Sequence, residues 1–138
     1  MKNLTLIAAS FCLLAGLAAV PAHAQASVRA KVPFNFVVSG KTFAAGDYTM
    51  KFNPHDVKIE DGRGLIVGMA LTNEISGRAV GQNGQFVFHC YRGRCFLSEV
   101  WSAARENGRQ FFTQRAEAEL AKEGQGKYFA ILGEKPEK

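Results

Sequence analysis

Apolar and polar residues alternate along much of this chain with a period of two, the pattern of half-buried strands. Val32, Phe34, Phe36 and Val38 interleave with Pro33, Asn35, Val37 and Ser39. This predicts a strand with one apolar face. Pro33 has no backbone donor, so the strand should begin there or lie at a sheet edge. Ser39-Gly40-Lys41 turns the chain. Tyr48, Met50 and Phe52 then alternate with Asp47, Thr49, Lys51 and Asn53, the cleanest strand pattern present. Asn53-Pro54-His55-Asp56 is a turn by composition. Val57-Lys58-Ile59 and Leu65-Ile66-Val67-Gly68-Met69 flank Glu60-Asp61-Gly62. A three-residue loop ending in a left-handed Gly62 sets Val57 opposite Leu65 and keeps apolar side chains on one face.

Residues 73–84 are polar and contain glycine, which predicts a long connection. Gln85–Tyr91 and Arg94–Trp101 form the next expected hairpin. Residues 102–108 read as a loop, and Gln110-Phe111-Phe112 as a short strand. The pattern then changes. QRAEAELAKE is built from strong helix formers, with Thr113 as the expected N-cap and Gly124 as the stop. Arg115 and Glu119 stand four apart and should pair. Residues 127–132 supply a last strand, and the tail GEKPEK should fray. Short strands punctuated by turns predict an all-β fold, a small antiparallel β-sandwich or barrel. One short C-terminal helix should cover an edge or an open end. The strands fall short of the roughly ten-residue spans of an outer-membrane barrel.

The first residues follow another rule. MKN precedes the apolar run LTLIAASFCLLAGLAAV and then PAHA. One positive charge, an apolar run and a small-x-small site at Ala22-His23-Ala24 predict a signal peptide over residues 1–24. Cys12 lies inside the run behind Phe11, away from the cleavage point, which argues against a lipoprotein. Cleavage after Ala24 would leave residues 25–138 as a single β-rich domain, with no further segment long enough to cross a membrane. The expected location is therefore secreted or periplasmic. Without Lys2 the net charge falls from +5 to +4. This mild excess favours anionic partners only weakly.

Secretion changes the meaning of HCYRGRC, residues 89–95. If Arg92-Gly93 forms a two-residue hairpin loop, Tyr91 faces Arg94 and Cys90 faces Cys95. The cysteines then occupy a non-hydrogen-bonded pair, where side chains approach most closely. An oxidising compartment makes a structural disulfide the expected outcome. A redox motif would have two residues between its cysteines, and four stand here. A zinc site needs about four ligands, and His89 points to the face opposite Cys90. No metal and no cofactor is expected.

Other chemistry is sparse. There is no Gly-x-Ser-x-Gly elbow and no phosphate loop. Glu99, between Leu97 and Trp101, is placed by simple alternation on the face of Phe86 and Phe88. A carboxylate there could act as an acid, but pairing with Arg94 or Arg105 is the plainer expectation. Arginines 92, 94, 105, 109 and 115 lie near Phe96, Trp101, Phe111 and Phe112, a composition that can hold single-stranded nucleic acid. Export removes that partner, and the aromatics fit core positions better.

VPFNFVVSGKTFAAGDYTM (32–50), FHCYRGRCFLSEVW (88–101) and RAEAELAK (115–122) together resemble a group of small secreted proteins from soil bacteria, notably acidobacteria. The shared order is a signal peptide, a VPF-x-F…G-x-Y-T opening, an FLS-x-VW strand and a charged helical segment. The group has no established activity, so the resemblance implies no catalytic residue. Not all its members carry an equivalent of Cys90 and Cys95, which favours a clip over a shared active centre.

The expected function is thus a non-enzymatic exported β-domain, a binding or structural module of the cell envelope. Arg92, Arg94, Trp101 and Arg105 form the expected ligand rim, suited to an anionic envelope polysaccharide or lipid. The competing classes are a small secreted hydrolase using Glu99 or a turn carboxylate, and a self-assembling envelope subunit.

Overall fold

A computed structural model describes residues 26–77, 82–102 and 107–135. The leader expected over residues 1–24 lies outside these, as does Arg105. Ten strands and one helix follow one another as β1 (Ser27–Val32), β2 (Phe36–Val38), β3 (Lys41–Phe43), β4 (Gly46–Phe52), β5 (Asp56–Asp61), β6 (Ile66–Ser76), β7 (Gln85–Tyr91), β8 (Arg94–Trp101), β9 (Asn107–Phe111), α1 (Arg115–Glu123) and β10 (Lys127–Leu132). The all-β fold with one short helix is as the alternation predicts. Among the described residues no helix is long and apolar enough to cross a membrane.

The strands form two layers that share β6. Its first half pairs with β5, in a layer ordered β1-β4-β5-β6. From Thr72 onward it pairs with β9, which leads to β8, β7 and β10 in the other layer. β8 divides one edge between β9, at Glu99–Trp101, and β2, at Cys95 and Phe96. The β2–β8 pairing is parallel and every other is antiparallel, so the sheet is mixed. It does not close into a barrel. At the far side the amide of Glu134 donates to the Arg29 carbonyl at 2.7 Å. No ladder continues from that bond.

The facing sides of the two layers make the core. Val28, Ala30, Val32, Met50, Val57 and Ile59 from one layer meet Phe86, Phe88, Leu97, Val100 and Phe111 from the other. Phe36 and Phe43 close it beside Tyr48, with ring centroids 5.1–5.9 Å apart. Val28, Ala30 and Val32 alternate with exposed Ser27, Arg29 and Lys31, so β1 is a strand that sequence analysis overlooked. The strand expected through residues 32–38 is split. Val32 ends β1, and the chain crosses at Pro33 into β2, because a residue without a donor cannot extend the ladder.

Two registers differ from simple alternation. In the β5–β6 hairpin Val57 faces Ala70, not Leu65, and Ile59 faces Gly68. Asp61 sets the turn: its carboxylate accepts the amides of Arg63 at 2.9 Å and Leu65 at 3.1 Å. Gly64, not Gly62, takes the left-handed conformation, at φ 80°. Gly68 leaves room for the Phe43 ring, which would lie 2.9 Å from an added Cβ. A large aromatic over a glycine thus fills the space that matched apolar pairs were expected to fill. Leu65, Ile66, Met69 and Leu71 are left exposed.

The β7–β8 hairpin carries a bulge. Phe88 pairs with Leu97 but Val87 pairs with Glu99. The extra residue, Ser98, lets Leu97 and Val100 both face the core and turns Glu99 and Trp101 to the other side. Glu99 therefore does not share the face of Phe86 and Phe88.

The helix covers a sheet face rather than an edge or an open end. Leu120 packs onto a second small cluster of Val37, Tyr91 and Phe96 on the outer side of β2, β7 and β8. Gln114, not Thr113, is the N-cap, and its side chain makes no capping bond. Gly124 ends the helix as expected, and Arg115 Nε meets Glu119 Oε1 at 3.1 Å on the surface.

Candidate functional site

The β7–β8 hairpin positions both sites of interest, one on each of its faces. Its tip is the two-residue loop Arg92-Gly93, with φ of 47° and 81°. Positive φ at both central residues is the hairpin turn that matches strand twist. It sets Tyr91 against Arg94 and Cys90 against Cys95. The two cysteines form a disulfide across Cα atoms 4.0 Å apart, the close approach of a non-hydrogen-bonded pair. The expected clip is present.

The inward face of this hairpin bounds a cleft. β10 pairs with β7 so that Lys127 stands opposite Cys90 and Phe129 opposite Phe88. At one end the chain just after β10 meets β1, through the Glu134–Arg29 backbone bond and an ion pair of 3.6 Å between the side chains of the same two residues. Farther along, beyond Pro33, Phe34 and Phe129 line an opening instead. The cleft there holds about 450 Å³, with Phe34, Phe129 and the Cys90–Cys95 disulfide as apolar lining. Phe34 is held edge-on against Phe88 at 5.0 Å. Arg92, Gly93, Gln125 and Lys127 supply its polar part.

Arg105 lies outside the described residues, and the other rim residues expected from the sequence, Arg92, Arg94 and Trp101, are not brought together. Arg92 lines the cleft and meets Glu123 Oε2 at 3.1 Å. Arg94 lies over the Phe96 ring at 5.4 Å, and Phe96 belongs to the cluster under the helix. Trp101 is buried at the other end of β8, with its Nε1 donating to Glu99 Oε2 at 2.8 Å. Gly108 on β9 admits it: an added Cβ would stand 2.6 Å from the indole. A buried indole cannot form a rim. The bulge and the close fit to Gly108, neither visible in an alternation pattern, place it there.

The outward face carries a cluster that sequence analysis missed. His89 stacks on Tyr128 at 4.0 Å, with the planes 13° apart. Its Nδ1 lies 2.8 Å from the Tyr91 hydroxyl and 3.7 Å from Glu117 Oε1. Gly126 runs against the ring so closely that a Cβ there would lie 2.3 Å from Nε2. The available signals were the two-residue spacing of His89 and Tyr91 and the (i, i+3) spacing of Glu117 and Leu120, which share a helix face. Burial raises the Glu117 pKa and lowers that of His89. Tyr91 is raised by burial, then by the neighbouring Glu117 and Tyr128. The ring stack joins β10 to β7, and Gly126 holds the connection between α1 and β10 against β7.

The raised Glu117 pKa has a testable sign. The folded state binds this proton more readily than the unfolded chain does, so ionisation costs stability as pH rises through the folded pKa. Glu117→Gln should be more stable than the parent at about pH 8, by about 1 kcal/mol, the scale for a poorly compensated buried polar group. The difference should shrink as pH falls toward the ordinary 4.5. His89 acts oppositely, contributing stability above its ordinary 6.5 that is lost as pH falls. Subtracting the urea-unfolding free energies of the two proteins at each pH gives the contribution of Glu117 together with its contact to His89. A gap that widened toward acid would refute this account.

Among the described residues no three His, Cys, Asp or Glu side chains converge to hold a metal ion. No family model, curated protein or solved structure matches the chain. Fold and site together define an all-β protein with an apolar cleft beside a disulfide-clipped hairpin.

Proposed function

We propose that the protein is an exported, non-enzymatic binding module of the cell envelope, and that the cleft between Phe34, the β7–β8 hairpin tip and the start of β10 is its binding site. The observation that carries this reading is the cleft's lining. Two phenylalanines and a disulfide form an apolar recess within the usual size range of small-molecule sites, with few polar groups at its edge. The leader-like segment at residues 1–24 and the disulfide support export, since such bonds persist in oxidising compartments.

Binding is favoured over hydrolysis by what surrounds the recess. Among the described residues its lining contains neither a carboxylate nor an imidazole. The histidine and carboxylate that do meet, His89 and Glu117, sit on the outward face under the helix. Of the two envelope partners expected, polysaccharide and lipid, an apolar recess suits lipid. Sugar rings need many more hydrogen-bonding groups than Arg92, Gln125 and Lys127 supply.

Expression of the full chain in a Gram-negative host tests the reading. The periplasmic fraction should contain an oxidised chain beginning at Gln25. It should enhance the fluorescence of the neutral probe N-phenyl-1-naphthylamine, and Phe129→Glu should abolish that enhancement. Retention in the cytoplasm with the leader attached would refute export. Probe binding indifferent to Phe129→Glu would refute the cleft as the site.

A further inference from the structure

We infer that the cleft selects a single-chain anionic amphiphile, with its acyl chain between Phe34, Phe129 and the disulfide and its anionic head against Lys127 and Arg92. This inference rests on the cleft being the binding site and adds the chemical class of the ligand. The walls argue for a hydrocarbon chain. Phe34 is braced by Phe88, and the Cys90–Cys95 bond prevents the facing hairpin from spreading. A recess of about 450 Å³ suits one chain better than the paired chains of a phospholipid.

The mouth argues for a negative head. Lys127 forms no ion pair among the described residues. Among the described residues Arg92 is paired only with Glu123, and the two side chains are 70% and 55% exposed, so this contact is readily exchanged. The cleft's own polar lining is therefore cationic or neutral. The long stem of a lysine tolerates apolar neighbours while its ammonium reaches the water at the opening. A cationic head would meet like charge at the same place.

Displacement of the neutral naphthylamine probe from the purified, oxidised protein tests this, with laurate, decanoate and dodecyltrimethylammonium each below its micellar concentration. Laurate should displace the probe about tenfold more effectively than dodecyltrimethylammonium, as expected for a few charge-assisted contacts. It should exceed decanoate by about fifteenfold, because each buried methylene is worth about fourfold in affinity. The double variant Arg92→Glu with Lys127→Glu, both at exposed positions, should reverse the head-group preference while still binding the neutral probe. Equal displacement by anionic and cationic amphiphiles would overturn the inference and leave the cleft reading intact. Failure of the neutral probe and of laurate together would overturn both. Co-sedimentation with phosphatidylglycerol vesicles without displacement by monomeric laurate would also overturn it, in favour of a membrane-surface contact.

Discussion

Phe88→Ala should lower the unfolding free energy by about 4 kcal/mol, the scale for truncating a buried phenylalanine. Phe88 is fully buried at the centre of the interface between the two layers. Its ring meets Phe34 at 5.0 Å, Phe36 at 5.4 Å and Phe86 at 6.4 Å, all edge-to-face. Removing it forfeits the apolar burial and leaves a space that the paired strands on either side cannot collapse to fill. It also removes the brace behind Phe34, so the cleft should bind the neutral probe less well at temperatures where the variant is folded. Urea unfolding measures the stability, with Phe112→Ala as the control. Phe112 is 50% exposed and its truncation should cost well under half as much. Comparable losses for the two variants would show that the interface between the layers is not the main source of stability.

The double variant Cys90→Ser with Cys95→Ser should lose about 2 kcal/mol, the chain-entropy cost of opening so small a loop. The hairpin itself should survive. The turn at Arg92-Gly93 and seven paired positions between β7 and β8 specify its register without the bond. The larger consequence belongs to the cleft, because the disulfide is part of its lining. Replacing it with two hydroxyls puts polar groups where an acyl chain is proposed to lie. Amphiphile binding should therefore fall more than stability does. Circular dichroism at rising urea, with and without reductant, separates the effects. The reduced parent and the double serine variant should unfold at the same urea concentration. A reduced parent as stable as the oxidised protein would refute the structural role of the clip.

Much of the strand content was legible because local constraints there agree with the tertiary ones. Tyr48 and Met50 alternate with polar neighbours and are buried on β4 as expected. Cys90 and Cys95 face each other because a two-residue turn permits only one register near it. The failures have particular causes. The β5–β6 register depends on the Asp61 carboxylate capturing two amides and on Phe43 lying over Gly68. Phe43 is remote in sequence, so no pattern within the hairpin reports it. Glu99 and Trp101 were misplaced by a single extra residue, because one bulge inverts the faces of every residue beyond it.

The candidate site was less legible than the fold for the same reason. Arg92 and the cysteines were found, since all lie in one turn. Phe34, Gln125, Lys127 and Phe129 were not, since they reach the cleft from other parts of the chain. The sequence by itself determined the all-β class, the helix following β9, and the hairpin that carries the disulfide, because period, propensity and turn chemistry act over a few residues. Only the tertiary structure decided that β6 joins the layers, that the helix sets Glu117 against His89, and that Phe34 and Phe129 come to line one cleft. Those outcomes depend on which distant surfaces meet, and on where a single proline or an extra residue interrupts their pairing.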